Sequence, residues 1–199
     1  MTKAQVKEKP SEVKADALKL SSPIDLGEER ISELRFEPAK GADFWHIKAS
    51  EPNVRALILI ALSMAGHTGS RAERIGCSLG SADLAELQRR WDRAVDEFQE
   101  GGQAVLPLAE TLDGAPLEFN LRHAIDWPGE PITQLVWKPL TGRAIWDMPA
   151  DPSHGDLFAI AAAQCGVDIA ALRRLSAFDA GAVHTLVLAY LKPFQGTGG

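Results

Sequence analysis

Cysteine is scarce in this chain: only Cys77 and Cys165 occur, far apart and outside any CxxC spacing. That excludes a disulfide framework and a thiolate metal site, and it fits a reducing cytoplasm. A surplus of positive charge is also missing. With 21 Lys and Arg against 27 Asp and Glu, the net charge is -6, so the cations needed to displace counterions from a nucleic-acid backbone are not there. Nucleic acid is not an expected partner. Long apolar runs are absent as well. "ALILIALSMAG" from Ala56 and "AVHTLVLAYL" from Ala182 fall well short of the roughly 20 residues that cross a bilayer. Both read as buried helices, and no membrane contact is expected. The opening "MTKAQVKEKPSEVKADAL" lacks the apolar core and small-residue cleavage site of a secretory signal, and reads as a solvated, charged arm.

Catalytic patterning is equally thin. His46, His67, His123, His154 and His184 show no HxxxH spacing, so neither a metal nor another cofactor is expected. "GHTGSRAERIG" bears glycine but lacks the lysine and preceding strand of a phosphate loop, and reads as a surface turn. No catalytic residue is assigned, and a small enzyme with an unrecognised site is the least favoured class.

What the chain does have is repetition. "PIDLGEERISELRFEPAKGADFW" from Pro23 is answered by "AIDWPGEPITQLVWKPLTGRAIW" from Ala124. At one constant offset Ile24 meets Ile125, Asp25 meets Asp126, Glu29 meets Glu130 and Ile31 meets Ile132. Leu34 then meets Leu135, Pro38 meets Pro139, Gly41 meets Gly142 and Trp45 meets Trp146. The first copy carries extra residues in "HTGSRAERIGCS", after which Leu79 matches Leu175, Asp83 matches Asp179, Leu87 matches Val183 and Phe98 matches Phe194. Fixed-period self-similarity of this kind organises an architecture before any single element does.

Each copy predicts the same elements. Alternating apolar positions flank "DLGEER" and "DWPGEP", whose Asp, Gly and Pro reverse a chain, so each copy opens with a β-hairpin. Asp25 and Asp126 are turn residues there. Pro38 and Pro139 end the strands because proline donates nothing to a ladder. A helix apolar on nearly every side follows, over about 53–65 and 155–165. The closing helix of the first copy is expected to be capped by Asp83, with Glu86 completing a capping box, and to bury Leu84, Leu87, Trp91, Val95 and Phe98. Its opposite face, which includes Arg89, Arg90 and Arg93, reads as solvated charge. In the second copy Asp168 caps a short helix and Asp179 opens the last one. Gly101 and Gly102 punctuate the junction between copies.

The fold class is therefore α+β: two tandem modules, each a β-hairpin plus α-helices with its own interior, packed about a pseudo-twofold. The boundaries are a charged arm over 1–16, a first repeat over 17–99, a linker over 100–116, a second repeat over 117–195 and a flexible tail over 196–199. Tryptophan is enriched at binding hot spots, and five are present. Trp91 and Trp137 read as core. Trp45 and Trp146 at equivalent positions, Trp127 in a turn, and Leu186 and Tyr190 on the apolar last helix are the candidate partner contacts. Core packing is the alternative for each, and burial separates the two readings.

The pattern "I..L.[FW].P..G...W", then an apolar helix, a turn near "AGHTG" or "CGVD", a leucine, an Asp and a closing helix, resembles the tail assembly chaperones of tailed phages and prophages. It is closest to the Mu-like and P2-like group. The first copy keeps Asp43 after Gly41, whereas the second has Arg143 and Ala144 there. The resemblance implies a non-enzymatic cytoplasmic protein of an infected or lysogenic bacterial host. It would transiently bind apolar helical segments of the tape-measure protein, and it would also meet tail-tube subunits or a second copy of itself. A structural or adaptor protein of the tail or baseplate is the alternative.

Overall fold

The computed structural model describes residues 16–27, 29–45, 54–110, 116–138, 148–149 and 152–192. Pro139, Gly142, Trp146 and Phe194 therefore lie outside the described residues.

Both expected hairpins form. β1 (Asp16–Asp25) pairs antiparallel with β2 (Arg30–Phe36), and β3 (Leu117–Ile125) pairs antiparallel with β4 (Ile132–Trp137). Their registers correspond residue for residue. Leu18 faces Leu34 as Phe119 faces Leu135, and Ile24 faces Ile31 as Ile125 faces Ile132. Each loses its regular ladder at the same place, between Lys19 and Ile24 and between Asn120 and Ile125. At the first turn Asp25 Oδ1 accepts from the Gly27 amide at 2.8 Å, the local bond expected of a turn aspartate.

Eight helices accompany the hairpins among the described residues. In the first half they are α1 (Gly41–Phe44), α2 (Val54–Met64), α3 (Gly69–Ser78), α4 (Ser81–Ala104) and α5 (Leu106–Glu110). In the second half they are α6 (His154–Cys165), α7 (Ile169–Leu172) and α8 (Ala177–Leu191). The architecture is thus mixed α and β and dominated by helix. None of these helices is long and apolar enough to cross a membrane. The segment read as a surface turn is instead α3, a full helix from Gly69. After the apolar helix the first half has this ten-residue element, where the second half has only the four-residue α7.

The apolar helices dock on their hairpins in the same way. Glu37 N donates to Met64 O at 3.0 Å and Lys138 N to Gln164 O at 3.2 Å, which ties the end of each second strand to the last turn of the helix. Each helix then stops on a left-handed glycine, Gly66 and Gly166. The next amide folds back, His67 N to Leu62 O and Val167 N to Ala162 O, which satisfies carbonyls that would otherwise be orphaned. α6 buries Leu157, Phe158, Ile160, Ala161 and Ala162, as a central helix should. α2 departs from that expectation: only Ala61, Leu62 and Met64 are buried, and Leu57, Leu59 and Ile60 stay half-exposed.

Three expectations for α4 are corrected. Its N-cap is Gly80, not Asp83. Asp83 sits in the first turn with its carboxylate turned to the irregular stretch of β1, accepting from Ser21 N at 2.9 Å and Ser21 Oγ at 2.7 Å. Backbone groups released by the broken ladder need partners, and they outcompete the helix end. Glu86 closes no capping box and pairs instead with Arg89 and Arg90. Arg90 does not belong to the solvated face: it is 8% exposed, and its guanidinium lies 4.9 Å from the Phe36 ring centroid.

Gly101 and Gly102 do not break the chain either. They are buried residues inside α4, which runs on to Ala104. A Cβ on Gly101 would fall 1.8 Å from the Phe178 carbonyl oxygen, and one on Gly181 of α8 would fall 1.7 Å from the Phe98 carbonyl oxygen. Glycine here lets two backbones touch, which requires the missing Cβ rather than a turn.

Two core clusters result, one around Leu34, Phe44, Leu62 and Trp91 and the other around Leu135, Trp137, Phe158 and Leu186. They are not sealed from each other. Ala177 of α8 belongs to the first cluster, while Trp45 and Phe98 pack against the second. The segment around α1 threads across the junction: Gly41 N donates to Leu175 O at 2.8 Å, Ala42 N to Arg173 O at 3.1 Å and Ala177 N to Ala39 O at 3.1 Å.

Candidate partner-binding surface

Where β2 ends, Glu37, Pro38 and Ala39 form a strip with a groove on either side. One groove, of about 220 Å³, lies between this strip and α4. Its floor is apolar, from Phe36, Ala39, Met64 and Ala94, and its rim carries Asp16, Glu37, Arg90, Arg93 and Glu97. The other, of about 480 Å³, opens between the strip and the second half, with Lys40, His123, Arg174 and Ser176 on its walls.

Two of the rim carboxylates, Asp16 and Glu37, are held by cations. Arg90 Nη2 reaches Asp16 Oδ1 at 3.2 Å, and its Nη1 donates to Glu86. Arg89 and Arg90 together hold the Glu86 carboxyl below its ordinary pKa, the hydrogen bond from Arg89 contributing most. Lys40 does the same for Glu37, through a hydrogen bond and its charge. The groove thus combines an apolar floor with charged side chains at its edge.

The sequence candidates take different places. Trp45 is half-buried: its ring stacks on Phe158 at 5.5 Å, the Arg173 guanidinium lies 4.7 Å away, and its carbonyl accepts from Gly155 N at 3.0 Å. It joins the halves. Trp127, also half-buried, lies beneath the Arg174 guanidinium at 5.3 Å, and Arg174 Nη1 donates to Asp126 O at 2.7 Å. Arg74 holds the first hairpin turn the same way, through Leu26 O at 2.8 Å. Leu186 is 0% exposed, and Tyr190, 5% exposed, stacks on Trp137 at 5.7 Å. These two side chains are interior, so they offer a partner no surface. Of the last helix's large apolar residues, Leu188 alone is markedly exposed. Trp146 lies outside the described residues. The structure thus brings Trp45 to the junction and Trp127 to a hairpin tip, and it does not gather the candidates into one patch.

Sequence reasoning missed the groove, because its charged rim read as ordinary solvated helix. The visible signal was the doubled proline that ends each strand, Pro38 and Pro139. It also missed Arg90, whose burial depends on Phe36, far away in the chain.

Among the described residues, one grouping that mimics a catalytic trio is Ser176, Asp179 and His123. Ser176 Oγ donates to Asp179 Oδ2 at 2.7 Å and accepts from Asp179 N at 3.1 Å, and His123 Nδ1 is 3.7 Å from the same carboxylate. A nucleophilic serine hydrogen-bonds to the base, whereas this hydroxyl caps α8. Among the described residues no group of three or more His, Cys, Asp or Glu is placed to hold a metal ion. Cys165 is half-buried, and burial pushes its thiol up to about 12, which makes it a poor nucleophile.

Comparison of the chain with protein-family models, curated proteins and solved structures returns no match.

Proposed function

We propose that this chain is a non-catalytic tail assembly chaperone of a phage or prophage, which reversibly holds apolar helical segments of the tape-measure protein while tail-tube subunits assemble. The observation that carries this reading is the groove beside Glu37, Pro38 and Ala39, with its apolar floor and charge-paired rim. The half-exposed Leu57, Leu59 and Ile60 on α2 extend the apolar surface of the same half.

The two halves descend, in this reading, from one duplicated unit. Its support is the shared hairpin register, the shared break in each ladder and the shared glycine stop after each apolar helix. Tandem units suit a repetitive helical ligand, because capture by one raises the effective concentration at the other.

The test is co-purification with neighbouring gene products, followed by titration of a tape-measure segment against the wild type and Met64→Glu. A charge on the groove floor is expected to weaken binding at least about tenfold, or ~1.4 kcal/mol, measured at a temperature where far-ultraviolet circular dichroism shows both proteins folded. Equal affinity of wild type and variant would remove the groove from the account.

A further inference from the structure

Where α4 meets the starts of α6 and the middle of α8, three rings pack together: Phe98, His154 and His184. Phe98 and His154 stack with planes 2° apart and centroids 5.5 Å apart. His154 and His184 lie 4.5 Å apart, and Phe98 and His184 5.5 Å. One ring comes from the first half and two from the second, and neither groove uses them.

The site suits neutral imidazoles. His154 Nδ1 is sealed from solvent with no hydrogen-bond partner among the described residues. An unprotonated ring nitrogen tolerates that, whereas a protonated one would be a buried cationic donor lacking an acceptor. His154 is also the first residue of α6, at the positive end of the helix dipole, where a cation is disfavoured.

Among the described residues, several carboxylates on the surrounding elements hold other partners. On α6, Asp156 accepts from Ser153 N and Oγ. On α8, Asp179 accepts from Arg122, His123 and Ser176. On α1, Asp43 accepts from Lys40 N and Ser63 Oγ. On α4, Glu97 lines the groove beside Arg93 and Glu100 is exposed. Arg173, the residue that follows α7, lies over Trp45.

We propose that the Phe98, His154 and His184 stack is a proton-sensitive latch between the two halves, closed while both imidazoles are neutral and loosened when either takes up a proton. Burial lowers the pKa of His154, and burial with the neighbouring His154 lowers that of His184 to about 4, against an ordinary 6.5. Because the folded values are the lower ones, the opened form binds more protons. The latch is therefore fully effective above pH 6.5 and weakens as pH falls toward 4.

Hydrogen exchange of the full chain between pH 7.5 and 4.5, corrected for intrinsic rates, tests this. Peptides covering 98–105 and 177–191 are expected to lose protection by about tenfold per pH unit per proton below pH 6, while hairpin peptides hold theirs. In His154→Gln and His184→Phe variants that pH response should flatten. Parallel loss in wild type and variants would assign the effect to carboxylates and overturn the latch, as would undiminished protection at pH 4.5. A nuclear magnetic resonance titration of the wild-type imidazoles needs no variant: a midpoint near 4 is expected for His184 and one below the ordinary 6.5 for His154, and a midpoint at or above 6.5 for either overturns its part.

Discussion

Asp83 and Asp179 occupy matched positions in the two halves and perform matched work: each, from the first turn of its helix, accepts backbone amides from the broken ladder of a hairpin. They differ in load. Asp179 takes amides from both Arg122 and His123 as well as the Ser176 hydroxyl, and is fully buried, whereas Asp83 serves Ser21 alone. Charge-assisted bonds of this kind are worth roughly 1.5 to 3 kcal/mol each. Asp179→Ala is therefore expected to lower stability by about 3 to 4 kcal/mol in urea unfolding, and Asp83→Ala by about 2 kcal/mol. The pairing of these residues was legible in the sequence, but their task was not, because aspartate in a first turn reads equally as a cap. Arg90 shows the same limit: a cation among charged neighbours on a helix says nothing about the Phe36 ring beneath it.

Among the elements, the hairpins and apolar helices were legible because their residues interact locally, and a period of two or a glycine stop is written in consecutive positions. The junction of α4 and α8 was not. Gly101 and Gly102 carry the signal of a turn, and only the arrival of Phe178 from a distant segment makes them a contact surface. That contact predicts the cost of changing it. Gly181→Ala and Gly101→Ala each press a methyl into a carbonyl that cannot move aside, and each should cost about 3 kcal/mol or more by thermal or urea unfolding. The double variant should cost less than the sum, because the first methyl already parts the helices that the second would press.

For the whole molecule, the two similar hairpins were visible in the repeated sequence pattern, and the threading of α1 into the second half was not, since nothing in "AKGADFW" names its partners. The candidate site follows the same division. Pro38 and the strand end were readable, while the groove beside them exists only once α4 is laid across β2. Trp45 stood out as a binding residue and is found joining the halves. The proposed capture of an apolar helix would fall on the Glu37, Pro38 and Ala39 strip and the faces of α2 and α4 beside it. Hydrogen exchange with and without a saturating tape-measure segment measures that directly. Protection should rise in peptides spanning 34–45, 57–64 and 90–98 and stay unchanged in 117–137. Protection confined to the second hairpin, or none anywhere at saturating segment, would contradict it.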